Sequence, residues 1–233
     1  MEALAAGAAR RLLVERGLRV PDLVREASAR GVPVEEADAE RLDALSEGVR
    51  HQGVAAEVPP PATLGERDLA LREWPEDAIV VVLDGVEDPQ NVGSAARSAE
   101  AAGASALVLR DRRAAGVTPA AIRASAGALL HLPVAVVANI PRALGRLKDA
   151  GFTVVGLDGD AGPDAFEGPP PEGRVALVAG SEERGLSRLA REACDTLVAL
   201  PMRGRVGSLN AAAAVAAGLY GFLLRPAGHE KQE

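Results

Sequence analysis

Apolar residues fall along this chain in two rhythms. Over residues 78–83 they run unbroken and are rich in β-branched side chains. That is the pattern of a strand buried on both faces of a parallel sheet. Further runs of this kind stand at 106–109, 134–138, 152–157, 175–179 and 196–200. Between them lie stretches with helical spacing at 94–102, 119–126, 141–150, 187–193 and 209–224. Strand alternating with helix predicts an α/β fold, an open parallel sheet with helices on both faces.

The first part of the chain is patterned more weakly. Helices are expected over 2–9, 21–30 (with Pro21 in the first turn) and 37–47, and strands over 11–15, 32–35 and 53–58. Pro59, Pro60 and Pro61 then stop regular structure. The expected organisation is a small α/β domain over 1–58, a linker over 59–76, a larger domain over 77–226 and a tail over 227–233. No internal repeat is visible.

Composition narrows the possibilities. Aromatic residues are 2% of the 233 and hydrophobic residues 48%, so the core is built from Ala, Val and Leu. So few aromatics also argue against the stacking platforms of many single-strand RNA modules. Only Lys148 and Lys231 of the 26 basic residues are lysine, a bias that follows from a GC-rich genome and is no sign of nucleic-acid binding. The net charge of −7 is unfavourable for a phosphate-rich partner, but it is uneven. Arg97, Arg110, Arg112, Arg113 and Arg123 face only Glu100 and Asp111, and Arg184, Arg188, Arg191, Arg203 and Arg205 form a second cluster. A lone cysteine, Cys194, excludes an intramolecular disulfide and a cysteine-rich metal site. The longest apolar stretch, 211–224, would span about 21 Å as a helix, short of a bilayer core. With no signal peptide at its start, the chain is expected to be soluble and cytoplasmic.

Ligands of open α/β sheets bind beyond the carboxyl ends of the strands. Three such loops carry unusual residues. The first runs Leu83-Asp84-Gly85-Val86-Glu87-Asp88-Pro89-Gln90-Asn91-Val92-Gly93, with Arg97 downstream. Asn91 here reads as a helix cap or as a functional side chain, and a bend at Gly93 would let it approach Arg97. The second is Gly180-Ser181-Glu182 with Gly185. It reads as a strand-to-helix turn or as glycines admitting a ligand, and it is neither a Rossmann nor a Walker fingerprint. The third is Leu200-Pro201-Met202, then Ser208-Leu209-Asn210, where Ser208 alone would be an ordinary N-cap.

Together and in this order, the three resemble the motifs of the SpoU branch of the SPOUT methyltransferases: aspartate-proline-x-asparagine-x-glycine with an arginine, glycine-x-glutamate-x-x-glycine, and an aliphatic-proline-methionine segment leading to serine-leucine-asparagine. Ser125-Ala126-Gly127-Ala128 matches an intermediate segment, and the likeness covers roughly residues 79–224. The N-terminal part resembles the substrate-binding domain of the 23S rRNA guanosine 2′-O-methyltransferase subgroup, best at His51-Gln52-Gly53-Val54-Ala55-Ala56. That subgroup begins with a short strand and a glycine-containing segment, whereas this sequence starts inside the first helix.

The resemblance implies a C-terminal trefoil knot, a homodimer, and transfer of a methyl group from S-adenosylmethionine (SAM) to an RNA ribose 2′-oxygen without a metal. It implies SAM contacts at Gly180, Leu200 and Leu209, with Met202 adding a side chain; core packing is the other reading of both leucines. Arg97 is the implied catalytic residue, either as a base or, since guanidinium normally stays protonated, by gripping a phosphate that takes the proton. Asn91 and Asn210 orient the site, Ser208 caps its helix or touches substrate, and Glu182 holds loop amides or takes part in the chemistry. His51, His131 and His229 receive no role. The rival readings are a tRNA or resistance methyltransferase of the same family, a non-catalytic RNA-binding ribosome-assembly factor, and a small-molecule nucleotide enzyme.

Overall fold

A computed structural model describes residues 2–46, 50–111, 117–167 and 169–224. Arg112, Arg113, His229 and the expected tail over 227–233 lie outside the described residues. The chain divides into two compact units, Met1–Pro61 and Ala62–Glu233.

In the first unit, helix α1 (Glu2–Ala5) precedes strand β1 (Arg11–Glu15), and α2 (Pro21–Ala29), β2 (Val34–Ala37), α3 (Ala39–Ser46) and β3 (Val54–Glu57) follow. The first helix is shorter than the predicted 2–9 because the chain turns at Gly7, φ 66°. β1 lies in the middle, parallel to β2 and antiparallel to β3. Its alternate residues bury to both sides, Leu12 and Val14 with Leu4 and Ala27, and Leu13 with Ala37 and Leu42. Arg11 ties the three strands together, donating to Glu35 at 2.9 Å and Glu57 at 2.6 Å. Its guanidinium holds the Glu35 carboxyl below the usual range. The His51-Gln52-Gly53 segment is a turn: Gln52 and Gly53 have φ of 52° and 79°, and the Gly53 amide donates to His51 Nδ1 at 2.9 Å.

The second unit opens with β4 (Thr63–Leu64) and α4 (Glu66–Leu71), then β5 (Ile79–Asp84), α5 (Pro89–Ala101), β6 (Ala106–Arg110), α6 (Pro119–Ala124) and a 3₁₀ turn (Ala128–Leu130). It continues through β7 (Val134–Val137), α7 (Ile140–Asp149), β8 (Thr153–Leu157), β9 (Val175–Gly180), α8 (Arg188–Ala193), β10 (Thr196–Val198), α9 (Ala211–Ala217) and a π-helical segment (Gly218–Leu223). The seven strands form one parallel sheet, in the order β10-β8-β9-β5-β6-β7-β4. Val81, Leu83, Leu107 and Leu177 point to a core layer under α5, α6 and α9; Val80, Val82, Val108 and Val178 point to the other, under α4, α7 and α8. Continuous apolar runs became strands because both faces are covered.

The linker expected over 59–76 is a correction. β4 pairs with β7, and Leu69 and Trp74 are buried in the larger core. The prolines close the first unit, which ends at Pro61. Trp74 donates its indole N–H to the Leu69 carbonyl at 3.0 Å and meets Phe152 edge-on at 5.3 Å.

Two helix starts also differ from expectation. α5 begins at Pro89, not residue 94, because the Asp88 side chain caps it, accepting from the Gln90 amide at 2.9 Å. Asn91 is therefore inside the first turn and is not the cap. Gly93 makes no bend. It sits where a Cβ would lie 2.6 Å from the Ala121 carbonyl oxygen and 2.8 Å from the Ser125 amide nitrogen, so the glycine lets α5 lie directly against α6 and the Ser125-Ala126-Gly127 turn. At the other end, α9 begins at Ala211, capped by Asn210 and not by Ser208.

Candidate active site

β9, β5 and β6 end side by side, and the loops that leave β5 and β9 converge. Leaving β9, the chain turns so tightly that a Cβ on Gly180 would fall 2.1 Å from the Gly185 carbonyl carbon. Gly185 itself takes φ 62° and donates to the Ser181 carbonyl at 2.8 Å. The close approach read from these glycines is thus made by the chain's own peptide. The turn holds Glu182 out over the ends of the strands.

Glu182 is the hub. Its Oε1 accepts from Asn91 Nδ2 at 2.9 Å, from Asn210 Nδ2, and from the Ala211 amide at 3.3 Å. Asn210 Nδ2 also donates to Asn91 Oδ1 at 2.8 Å. Meanwhile Asn210 Oδ1 accepts from the amides of Ala212 and Ala213 at 3.0 and 3.3 Å. One asparagine therefore caps α9 with its oxygen and binds the other two side chains with its nitrogen. Residues from three separate stretches of sequence are locked together. A carboxylate accepting several N–H bonds, one of them from a helix start, is a favourable arrangement.

The other expected site residues are not in this cluster. Arg97 is exposed on α5. Six residues on from Asn91, it is turned by about 120° on the helix surface, and among the described residues it makes no ion pair. Ser208 is exposed and makes no side-chain hydrogen bond among the described residues. Leu200 packs partly against the core.

Every residue over 201–210 is exposed. Met202 and Leu209 are each 38% exposed and Val206 69%. Among the described residues no backbone amide from 200 to 209 donates to another backbone group, and no carbonyl there accepts. Such a strip has apolar side chains and unused backbone donors and acceptors. It fits the adenine and ribose of a cofactor such as SAM, which ask for hydrogen bonds at the base edge and apolar contact on its faces.

A cleft of about 460 Å³ opens beside the cluster, lined by Asp84, Asp88, Asn91, Arg110, Glu182 and Arg184 among others. Asp84 and Arg110 were not picked out as site residues in the sequence. Their place as the last residues of adjacent core strands was the available signal. Among the described residues no group of three acidic, histidine or cysteine side chains could hold a metal, and no helix is long and apolar enough to cross a membrane. Burial pushes the Cys194 thiol up to about 11, which disfavours its thiolate.

Comparison with known proteins bears on this site. Residues 78–220 match the model of the SpoU rRNA Methylase family, and residues 1–64 match that described as RNA 2′-O ribose methyltransferase substrate binding. An uncharacterised tRNA/rRNA methyltransferase of Mycolicibacterium gilvum is 44% identical over 206 residues, 86% of this chain and 64% of that protein. The chain therefore spans somewhat less than two thirds of that relative. The 23S rRNA (guanosine-2′-O-)-methyltransferase RlmB of Photobacterium profundum is 38% identical over 84% of this chain and 80% of its own. Among solved structures, the SpoU methyltransferase AviRb of Streptomyces viridochromogenes, in complex with AdoMet (SAM), superposes with a TM-score of 0.76 at 30% identity, covering 95% of this chain and 85% of its own. With its family match spanning six of the seven strands of the larger sheet and all three loops of the cluster, the chain belongs to the SpoU rRNA methylase family.

Proposed function

We infer that this chain is a SAM-dependent RNA 2′-O-ribose methyltransferase, acting on a guanosine of 23S rRNA. One observation carries the reading: the Asn91–Glu182–Asn210 cluster joins three loops beside a strip suited to adenine. The RlmB relative's name supports the choice of rRNA guanosine, and the substrate-binding match over 1–64 supports an RNA-binding role for the first unit. The protein acts as a homodimer in the cytoplasm. Its C-terminal segment threads a trefoil knot. In support, the chain after β8 pairs with the chain after β10, the Ala165 amide donating to the Ala199 carbonyl and the Ala199 amide to the Pro163 carbonyl, both at 2.8 Å. Gly221 lies against Phe166 of the same crossing.

When bound, SAM supplies a sulfonium methyl group, which the ribose 2′-oxygen attacks as the carbon–sulfur bond breaks. The residues of the chain do the rest. The backbone of Gly180, Leu200 and Leu209, with the Met202 side chain, holds the cofactor. Asn91, Glu182 and Asn210 fix the loops, and Ser208 stands exposed for substrate contact. Arg97 grips the phosphate next to the target ribose and orients the 2′-hydroxyl, whose proton passes to that phosphate; positioning of this kind contributes much of a transfer rate. The test is transfer of label from methyl-labelled SAM to 23S rRNA, read as 2′-O-methylguanosine after digestion. A purified chain that binds SAM but labels no RNA overturns the reading in favour of a non-catalytic assembly factor.

A further inference from the structure

The cleft beside the cluster continues into a second cavity of about 310 Å³ between the starts of α7 and α8. Asp84, Arg110 and Ser187 line both. Leu83 and Leu109 are register partners in β5 and β6, so Asp84 and Arg110 are the next residues on neighbouring strands. They follow Val82 and Val108 in the strand alternation and share their face of the sheet. Asp84 is only 5% exposed. Its Oδ2 accepts from the Ser187 amide at 2.7 Å. Its Oδ1 accepts from nothing among the described residues, and no fully buried side-chain oxygen among them lacks a partner. Oδ1 is therefore open to the cavity. Arg110 is exposed and forms no ion pair with Asp84 or any other described residue. A buried carboxylate and a guanidinium stand side by side, unpaired, facing one space.

We propose that Asp84 and Arg110 read the hydrogen-bonding edge of the target base, selecting a carbonyl beside an imino N–H, as in guanine. The proposal rests on the reading of the chain as an RNA 2′-O-methyltransferase and deepens it. Arg110 can only donate and the Asp84 carboxylate can only accept. That order suits the O6 and N1–H of guanine or hypoxanthine, and the O4 and N3–H of uracil. With the ribose held to one side, adenine and cytosine present the reverse order, an amino donor and then a bare ring-nitrogen acceptor. A base taken out of its stack is commonly read on this edge, and a site that leaves its polar groups unpaired rejects the wrong base strongly. The cavity adjoins Asn91 and Glu182, where the attached ribose must lie for transfer.

The direct measurement is equilibrium binding of GMP, IMP, AMP and CMP to the full chain, whose common ribose phosphate leaves the base as the only difference. GMP and IMP should bind at least fivefold more tightly than AMP and CMP, in line with a hydrogen bond to a charged group. In Asp84→Asn the amide oxygen can keep the Ser187 bond while an NH₂ faces the cavity, and the preference should disappear. Arg110→Gln, at an exposed position, should weaken GMP and IMP by a similar factor and leave AMP unchanged, which guards against misfolding of the first variant. Equal binding of GMP and AMP, no measurable GMP binding, or a preference that survives both substitutions overturns the proposal. Methyl transfer to 23S rRNA without GMP preference would sink this proposal alone. GMP preference without transfer to any RNA would sink the methyltransferase reading and leave a base site standing.

Discussion

The two halves of the site are built in opposite ways. Around Glu182, each functional side chain is held by another, and the same Asn210 that binds Glu182 also caps α9. Over residues 201–209, Met202 and Leu209 keep 38% of their surface exposed and Val206 69%, and among the described residues the backbone bonds to no other backbone group. The first half is organised by folding. The second takes its partners from what binds. A preorganised cluster lowers the reorganisation needed in the transition state, whereas an open strip lets a large cofactor in and is completed by it. Mutations in the two halves should therefore show different signatures: lost turnover in one, lost cofactor affinity in the other.

The strongest break should come from Arg97→Ala. Turnover on RNA should fall by about 100-fold or more, the range for a group that positions or assists proton transfer, while SAM affinity by calorimetry stays within twofold. Normal turnover would remove Arg97 from the chemistry. Next is Gly180→Ala, which places a Cβ against the Gly185 peptide. Overpacking of this kind costs about 1–3 kcal/mol, so thermal melting should drop by several degrees, with Glu182 displaced and turnover lost. Glu182→Ala should follow, at about tenfold or more in turnover. It strips the acceptor from Asn91, Asn210 and the start of α9 together, and Glu182→Gln should restore part of it. Leu209→Ala is milder and sits in the other half. SAM affinity should fall by roughly tenfold, the value of a leucine side chain covered on binding, with melting of the free chain unchanged. A large loss of melting temperature in Leu209→Ala would mean that the strip is structural after all.

The contrast also explains what could be read from sequence. The β-branched runs at 78–83 and 175–179 gave the sheet directly, because burial on both faces leaves no polar position to confuse the period. β4 escaped, since two residues just after a proline run carry no period at all. The α5 boundary slipped because Asn91 looked like a cap, though Asp88 followed by Pro89 was the stronger start signal. The three loops were legible as an ordered set, and Asn91, Glu182 and Asn210 do meet in the structure. Their mutual hydrogen bonds were not legible, because spacing along the chain cannot say which side chains face across 91 or 119 residues. Asp84 lies in the first of these loops but drew no role, because it ends an apolar strand and stands outside the aspartate-proline motif. Arg97 was read as one site with Asn91, but helix geometry turns the two apart, and the proposed mechanism asks RNA to bring its phosphate to where the guanidinium stands.

The smallest expected effect sharpens the comparison by touching neither half. Arg142 on α7 donates to Glu66 on α4, through Nη2 at 2.7 Å and through Nε. That pairing holds the Glu66 carboxyl below its ordinary value of 4.5. A carboxyl depressed in the folded state stabilises the fold above its unfolded pKa, and the contribution is lost as pH falls through the depressed folded value. Wild type and Arg142→Gln should therefore differ in melting temperature at neutral pH and converge in acid below 4.5. Arg142 is 60% exposed at its side chain, so solvent screening keeps the difference small. Neither SAM affinity nor turnover at pH 7 should move, since the Arg142 and Glu66 side chains line neither the cleft nor the second cavity. If Arg142→Gln instead lowered turnover as Glu182→Ala does, the cluster would depend on distant packing, and the division between a folded half and a ligand-built half would have to be redrawn.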